Sequence, residues 1–386
     1  MTSEALPLFE LGKLASAMDD VGVSAIVAHS RRNFFYLSGF TSLDYSIEAE
    51  AANYVIVPRD PGHPAIVTIP ASEALSLQDE PIWVPRKIIC GNFYIKDLPP
   101  GVESRAPDTW DGLVLGLREA GLDSGRVGFE LEQLSVASHQ RLRDALPKLE
   151  LVDVSPVLRR LRMTKTSEEI RRVRVACAAT EDAIDSAIAR VRPGATEREI
   201  ACLISEGMIS RGVDVLYAQV STGAAAGLGG PSDRVVRSGD VVRTDVAGVY
   251  KGYHSDLGRG FAIDRATPVQ RGYYRVAYEA LQGGIAAVRI GAPVDVVFPA
   301  AMSAWARAGH PEVKRHHVGH GIGLQAHESP MVRPGSTQII EAGMVLAIEV
   351  PCYVYNVGGF APEDNLVVGV TGLEVLTQAP SEMPIV

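Results

Sequence analysis

Short apolar runs alternate with amphipathic stretches through the first 150 or so residues of the chain. The runs Ala25-Ile26-Val27-Ala28, Tyr54-Val55-Ile56-Val57 and Ala65-Ile66-Val67-Thr68 are rich in β-branched residues and show no regular polar face. A strand without a wet face belongs in a sheet that is covered on both sides. Residues 8–21, by contrast, repeat apolar groups at helical spacing. A further unit starts with Arg126-Val127-Gly128-Phe129, continues through a helix near 134–146 and closes with a strand near 151–154. This pattern predicts an α/β N-terminal domain over residues 1–155.

Between Ser155 and Thr166 the chain turns basic, with Arg159, Arg160, Arg162 and Lys165, and Thr166-Ser167-Glu168-Glu169 then has the order of a capped helix start. The domain boundary is placed there, with a second domain over residues 156–386. Apolar residues recur at helical spacing from 168 to 190. Arg192-Pro193-Gly194 stops that helix, and Thr196-Glu197 starts the next. Residues 279–288 and 296–308 read as two more helices. After His310 the chain is rich in Gly, Pro and β-branched residues, so strands are expected to the end and the second domain is α+β. Neither a repeat nor a low-complexity tract is evident.

Composition acts mainly by exclusion. At 386 residues, 46% hydrophobic and 22% charged, the chain can bury two ordinary cores. Its 37 basic and 46 acidic residues leave a formal charge of −9, which offers no basic footprint for nucleic acid or an anionic membrane. No apolar stretch is long enough to span a bilayer, and the first residues lack a basic start followed by an apolar run. A cytoplasmic protein with a small-molecule ligand, neutral or zwitterionic, is the expectation. The four cysteines show no Cys-x-x-Cys spacing, as suits a reducing compartment, and Cys352 beside Pro351 reads as a small buried residue.

Candidate chemistry gathers in the second domain. Asp245 sits between Thr244 and Val246 in a β-branched strand, and Asp256 follows across a Gly-containing turn, so the two flank a hairpin. A carboxylate buried in a strand needs a positive partner, either an arginine or a metal, and the pair by itself reads equally well as a salt bridge or a turn cap. Four of the nine histidines, His316, His317, His320 and His327, fall within twelve residues, and glycines flank His320 on both sides. Glu349 interrupts the apolar strand Met344 to Val350. Glu363 opens another, where its plain role is that of a turn residue. Four carboxylates and one imidazole make a plausible site for two divalent ions, which would polarise a carbonyl and activate water.

In this order of Asp, Asp, His, Glu and Glu, the C-terminal half resembles the pita-bread metallopeptidase family, which includes prolidase, aminopeptidase P, methionine aminopeptidase and creatinase. The N-terminal α/β domain, Arg160-Leu161-Arg162 and residues 165–169 resemble the two-domain branch, so the likeness spans nearly the whole chain. The resemblance implies a creatinase-like N-terminal domain and a C-terminal pita-bread (creatinase/aminopeptidase) domain. Two divalent metal ions per chain (Mn, Fe, Co or Zn) would sit on Asp245, Asp256, His320, Glu349 and Glu363, with Asp245 bidentate and Asp256 bridging. Catalysis would involve His316 and His327 at the substrate, and Glu349 as proton shuttle. A homodimer is carried over from the same likeness.

The implied reaction is metal-dependent hydrolysis of an amide or imide bond in a small-molecule or dipeptide-sized substrate, Xaa-Pro peptidase-like, by an activated hydroxide. Two departures open alternatives. Leu228 stands where relatives carry a substrate-binding histidine, and Ala361 stands where many carry an arginine before the last glutamate. A modified or cyclic amino-acid derivative as substrate, or a dimethylsulfoniopropionate-type lyase, fits the same fold. A non-catalytic binding module is the third reading. Arg259 resembles a retained family arginine and reads as an ion-pair partner. Residues 33–40 resemble a first-domain loop whose aromatics serve mainly the core, and Tyr94, Trp110 and Tyr217 are weaker site candidates.

Overall fold

The computed structural model describes residues 6–47, 52–94, 96, 100–223, 227 and 229–386. The chain divides into two compact units, Met1–Leu161 and Arg162–Val386.

The first unit is built on six strands: β1 (Ala25–Ala28), β2 (Val55–Pro58), β3 (Ile66–Pro70), β4 (Arg86–Cys90), β5 (Ser124–Phe129) and β6 (Lys148–Asp153), in spatial order β4-β3-β2-β1-β5-β6. The β1–β2 and β2–β3 pairs are antiparallel and the other three are parallel. The apolar runs occupy the middle of this sheet, where β1 is buried along its whole length. Strand β4 and the helix Thr109–Glu119 escape the apolar pattern, since only Ile88, Ile89 and Cys90 of β4 are buried. Strand β6 starts earlier than expected because it is an edge strand with much of its length in solvent. Residues 33–38 form part of a helix, Arg31–Ser38, rather than a loop. The Ser30 side chain caps its start and Gly39 (φ 76°) ends it. Phe34 and Tyr36 are buried there, and Trp110 is in the core of this unit, whereas Tyr94 is half-buried.

The second unit carries two sheets, each backed by a helix pair. The first contains β7 (Asp214–Thr222), β8 (Val241–Tyr250), β9 (Tyr253–His254) and β10 (Leu257–Ala262), with β8 between β7 and β10. Helices Ser167–Arg190 and Glu197–Ser210 bury Ala183, Ile184, Ile204 and Met208 against its Val246, Leu257 and Phe261. The second sheet uses β11 (Gly319–Gly321), β12 (Glu328–Met331) and β13 (Val345–Glu349). After a two-stranded ribbon of β14 (Cys352–Val354) and β15 (Gly358–Phe360) come β16 (Glu363–Gly369) and β17 (Gly372–Val375), giving the order β12-β11-β13-β16-β17. Helices Pro268–Ala287 and Val297–Arg307 pack Leu281 and Trp305 with Leu346 and Ile348 of this sheet. The first of these helices begins eleven residues before the apolar pattern that announced it. A capping box of Thr267 and Gln270, with Pro268 at its first position, starts it. Exposed Arg271 and Gly272 mask the helical period there. No helix among the described residues is long and apolar enough to cross a membrane.

Candidate metal centre

Strand β8 carries Asp245 at its middle, and its partner β10 begins just after Asp256, so the hairpin brings the two acids to one end of the first sheet. In the second sheet Glu349, last in β13, lies directly opposite Glu363, first in β16, and His320 of β11 pairs with Ala347 of β13. Close approach of β11 to its neighbours needs its glycines. A Cβ on Gly319 would stand 2.3 Å from the Ala347 carbonyl oxygen, and one on Gly321 2.3 Å from that of Ser329.

The two sheets bring together Asp245, Asp256 and Glu363, each with a carboxylate oxygen within 4.8 Å of the others. Asp256, His320 and His327 form a second group on the same criterion, so Asp256 is common to both. The His327 ring stacks on His320 with centroids 3.6 Å apart, and its Nε2 lies 3.7 Å from Asp256 Oδ2. The reading of His327 as a substrate contact thus meets a residue that also lies among the candidate ligands, with about half of its side chain exposed.

Glu349 stands outside both groups. Its carboxylate takes a hydrogen bond from His317 Nε2 at 2.8 Å and faces Arg315 Nη2 at 3.6 Å. Burial works to raise this carboxyl, but the bond from His317, with the charges of His320 and Arg315, outweighs it and brings it down to about 2. His316 is exposed, with Nδ1 3.2 Å from His317 Nδ1, and lines an open cleft with Ser329, Met331 and Arg333.

The shared cluster is poorly satisfied from within the protein. His320 Nε2 and Glu363 Oε1 are buried without a hydrogen-bond partner among the described residues. Burial, and then the charge of Asp245, hold the Asp256 carboxyl well above its ordinary range; burial and Asp256 do the same to Glu363. Burial lowers His320 to about 4, so at neutral pH its ring is uncharged and its Nε2 is free to act as a ligand. Buried carboxylates packed against one another, beside a lone imidazole nitrogen, are costly unless a cation meets them, and an oxygen-rich set with one or two nitrogens suits divalent ions. The donor set therefore fits divalent metal.

Several neighbours that the sequence passes over or ranks low hold these candidate ligands in place. Tyr217 donates its hydroxyl to Asp256 Oδ1 at 2.8 Å. Asn365 accepts the Asp256 backbone N–H at 3.0 Å and donates to its carbonyl. Arg259 reaches Asp364 at 3.1 Å and the Glu363 carbonyl at 2.6 Å, and so fixes the start of β16 as an ion-pair partner. Arg243, 1% exposed, contacts Asp245. Its position two residues before Asp245 in a strand, hence on the same face, was the signal that could have found it. Leu228 lies outside the described residues. Ala361 is buried in the link between β15 and β16, so no cation enters the site from that position.

Comparison with known proteins bears on the family and the fold. Residues 171–369 match the model of Metallopeptidase family M24, and residues 11–164 match the Creatinase/Prolidase N-terminal domain. The Xaa-Pro dipeptidase of Lactobacillus helveticus is 31% identical over 286 residues, 72% of this chain and 77% of that enzyme. Among solved structures, the Xaa-Pro dipeptidase from Bacillus anthracis superposes with a TM-score of 0.83 at 24% identity, covering 97% of this chain and 99% of that one. The X-Pro aminopeptidase from Thermotoga maritima MSB8 gives 0.82 at 22% identity, with 98% and 99% covered. At these identities the structural likeness speaks for the fold alone. With the family model spanning more than half of the residues, the chain belongs to metallopeptidase family M24, in its two-domain pita-bread form.

Proposed function

We propose that the protein is an Xaa-Pro dipeptidase-like metallohydrolase in which Asp245, Asp256, His320, Glu349 and Glu363 hold two divalent ions. The observation that carries this reading is the buried pair His320 Nε2 and Glu363 Oε1, without a hydrogen-bond partner among the described residues, beside Asp256, the residue common to both candidate groups. Relatives named as Xaa-Pro dipeptidases support the choice of bond.

Two divalent ions bound there would supply Lewis acidity toward a carbonyl and would lower the pKa of water. The protein's own groups do the rest. Glu349, kept ionised by the hydrogen bond from His317 and the charge of Arg315, is available as a ligand and as the proton shuttle. His327, stacked on His320 and half exposed, presents an N–H at the mouth of the cluster, where a substrate carbonyl can accept it. His316, in the adjoining cleft, meets the part of the substrate farther from the scissile bond. Tyr217 and Asn365 hold Asp256 through its side chain and backbone, which keeps the shared ligand in one orientation.

The test is elemental analysis of protein purified without chelator, with turnover of a Gly-Pro panel and an Asp256→Asn control. Two metals per chain with Gly-Pro cleavage, both lost in Asp256→Asn, is the expected result. Two metals without cleavage would redirect the search to a non-peptide amide or a dimethylsulfoniopropionate-type elimination. Protein free of metal would overturn the dinuclear reading.

A further inference from the structure

Helix Ser167–Arg190 buries an apolar face that includes Val173, Ala176, Ala183, Ile184 and Ala187. Two polar residues interrupt that face, Cys177 and Thr180, each 0% exposed. Three positions apart, they lie on the same side of the helix. A thiol and a hydroxyl buried there cost more than the alanines around them unless each finds a partner, and both do.

Thr180 Oγ1 and Ser255 Oγ share a hydrogen bond at 2.8 Å, and Ser255 Oγ accepts the Gly248 N–H at 3.0 Å across the hairpin. Helix and hairpin approach this closely because position 248 has no side chain: a Cβ there would stand 2.5 Å from Thr180 Oγ1. Cys177 donates its thiol to Asn365 Oδ1 at 3.1 Å, the same oxygen that accepts the Asp256 backbone N–H at 3.0 Å. Burial pushes this thiol well above its ordinary value, so it keeps its proton and stays a donor. With two donors on Oδ1, the Asn365 amide is held in the orientation in which Nδ2 donates to the Asp256 carbonyl. One turn of helix therefore grips the residue before Asp256 directly and the backbone of Asp256 through Asn365.

We propose that Cys177 and Thr180 are positioning residues for the metal centre, holding the backbone around Asp256 so that its carboxylate is already in place when metal binds. A ligand ordered beforehand loses less conformational freedom on binding, and the gain appears as affinity. The inference rests on the dinuclear reading above and adds to it two residues outside its ligand set.

The experiment measures Mn2+ binding by calorimetry on wild type, Cys177→Ala, Thr180→Val, Cys177→Ser and Thr180→Ser. Gly-Pro turnover at saturating Mn2+, the urea midpoint and the amide hydrogen exchange of residues 253–257 in metal-free protein are followed beside it. Cys177→Ala and Thr180→Val should each weaken Mn2+ about tenfold, as for loss of a group that orients a ligand. The serine variants keep a donor at the same place and should stay within about threefold of wild type. KM for Gly-Pro at saturating Mn2+ should not move, and exchange over residues 253–257 should quicken in the alanine and valine variants while the rest of the second unit is unchanged. A purely structural role would lower the urea midpoint and leave Mn2+ affinity where it was. Unchanged affinity in Cys177→Ala and Thr180→Val, or a loss that serine does not restore, overturns the proposal. If Thr180→Val fails to fold, Cys177→Ala, which removes a single sulfur, decides it. Wild type that binds no Mn2+ overturns the dinuclear reading instead, and the exchange of residues 253–257 then decides by itself whether the helix fixes the Asp256 segment.

Discussion

Glu328 and Asp256 are equally withdrawn from water, with side chains 3% and 2% exposed. Glu328 meets Lys165 Nζ at 2.7 Å and Arg162 Nε at 3.4 Å, both cations themselves buried. Asp256 meets Asp245 and Glu363, a neutral imidazole and a tyrosine hydroxyl. In the first cluster the cost of removing a carboxylate from water is offset by charges from the same chain, and nothing further is wanted. In the second it is left for something from outside the chain to offset. Burial by itself does not mark a site; burial without compensation does.

This contrast can be broken from either side. The largest effect is expected in the closed cluster: Lys165→Met leaves Glu328 with the distant Arg162 alone and should cost about 3 kcal/mol, read as a shift in the urea midpoint. Adding Glu328→Gln should recover more than half of the loss, because the uncompensated charge is gone. If the double variant were as unstable as the single one, the cost would lie in packing around Lys165, and the contrast would fail.

The open cluster should respond to pH once its metals are stripped. Asp256 and Glu363 have raised folded values, so the folded state keeps protons that the unfolded chain has released, and stability falls as pH rises. His320, lowered to about 4, runs the opposite way, but only below its unfolded value of 6.5. Above about pH 6.5 the two forms share every titration outside the cluster, so the melting temperature of chelator-treated protein should fall relative to metal-loaded protein as pH rises. A parallel course of the two curves would show that Arg243 and its neighbours already compensate the cluster.

The smallest effect is expected from Tyr217→Phe. Loss of the hydroxyl that orients Asp256 should weaken metal binding about tenfold while leaving the urea midpoint of metal-free protein within error. An unchanged metal affinity would mean that Asn365 alone sets the Asp256 orientation.

The legible parts of the molecule are those where local pattern and burial coincide. The central strands β1 and β2, the capping box at Thr166 and the hairpin between Asp245 and Asp256 can all be read from neighbouring residues, because the period of a strand or helix and the chemistry of a cap span only a few positions. Strand β4, edge strand β6 and the start of the helix at Pro268 hide their period behind exposed polar residues. Asp245 and Glu349 stand out because a charge inside an apolar strand is conspicuous at any distance from its partners, whereas Asp256, His320 and Glu363 are legible through the hairpin, the histidine cluster and the strand start around them.

From the sequence alone come the two-domain α/β and α+β plan and the identity of the conspicuous acids and histidines. Which histidine holds Glu349, and which cations border the site, is decided only by the fold. His316 and His317 are adjacent in the chain, yet only His317 bonds Glu349, and Arg243 and Arg315, 72 residues apart in numbering, border the same carboxylates. Local pattern reports whether a residue is costly to bury; only strand register and the meeting of two sheets report what it is buried against.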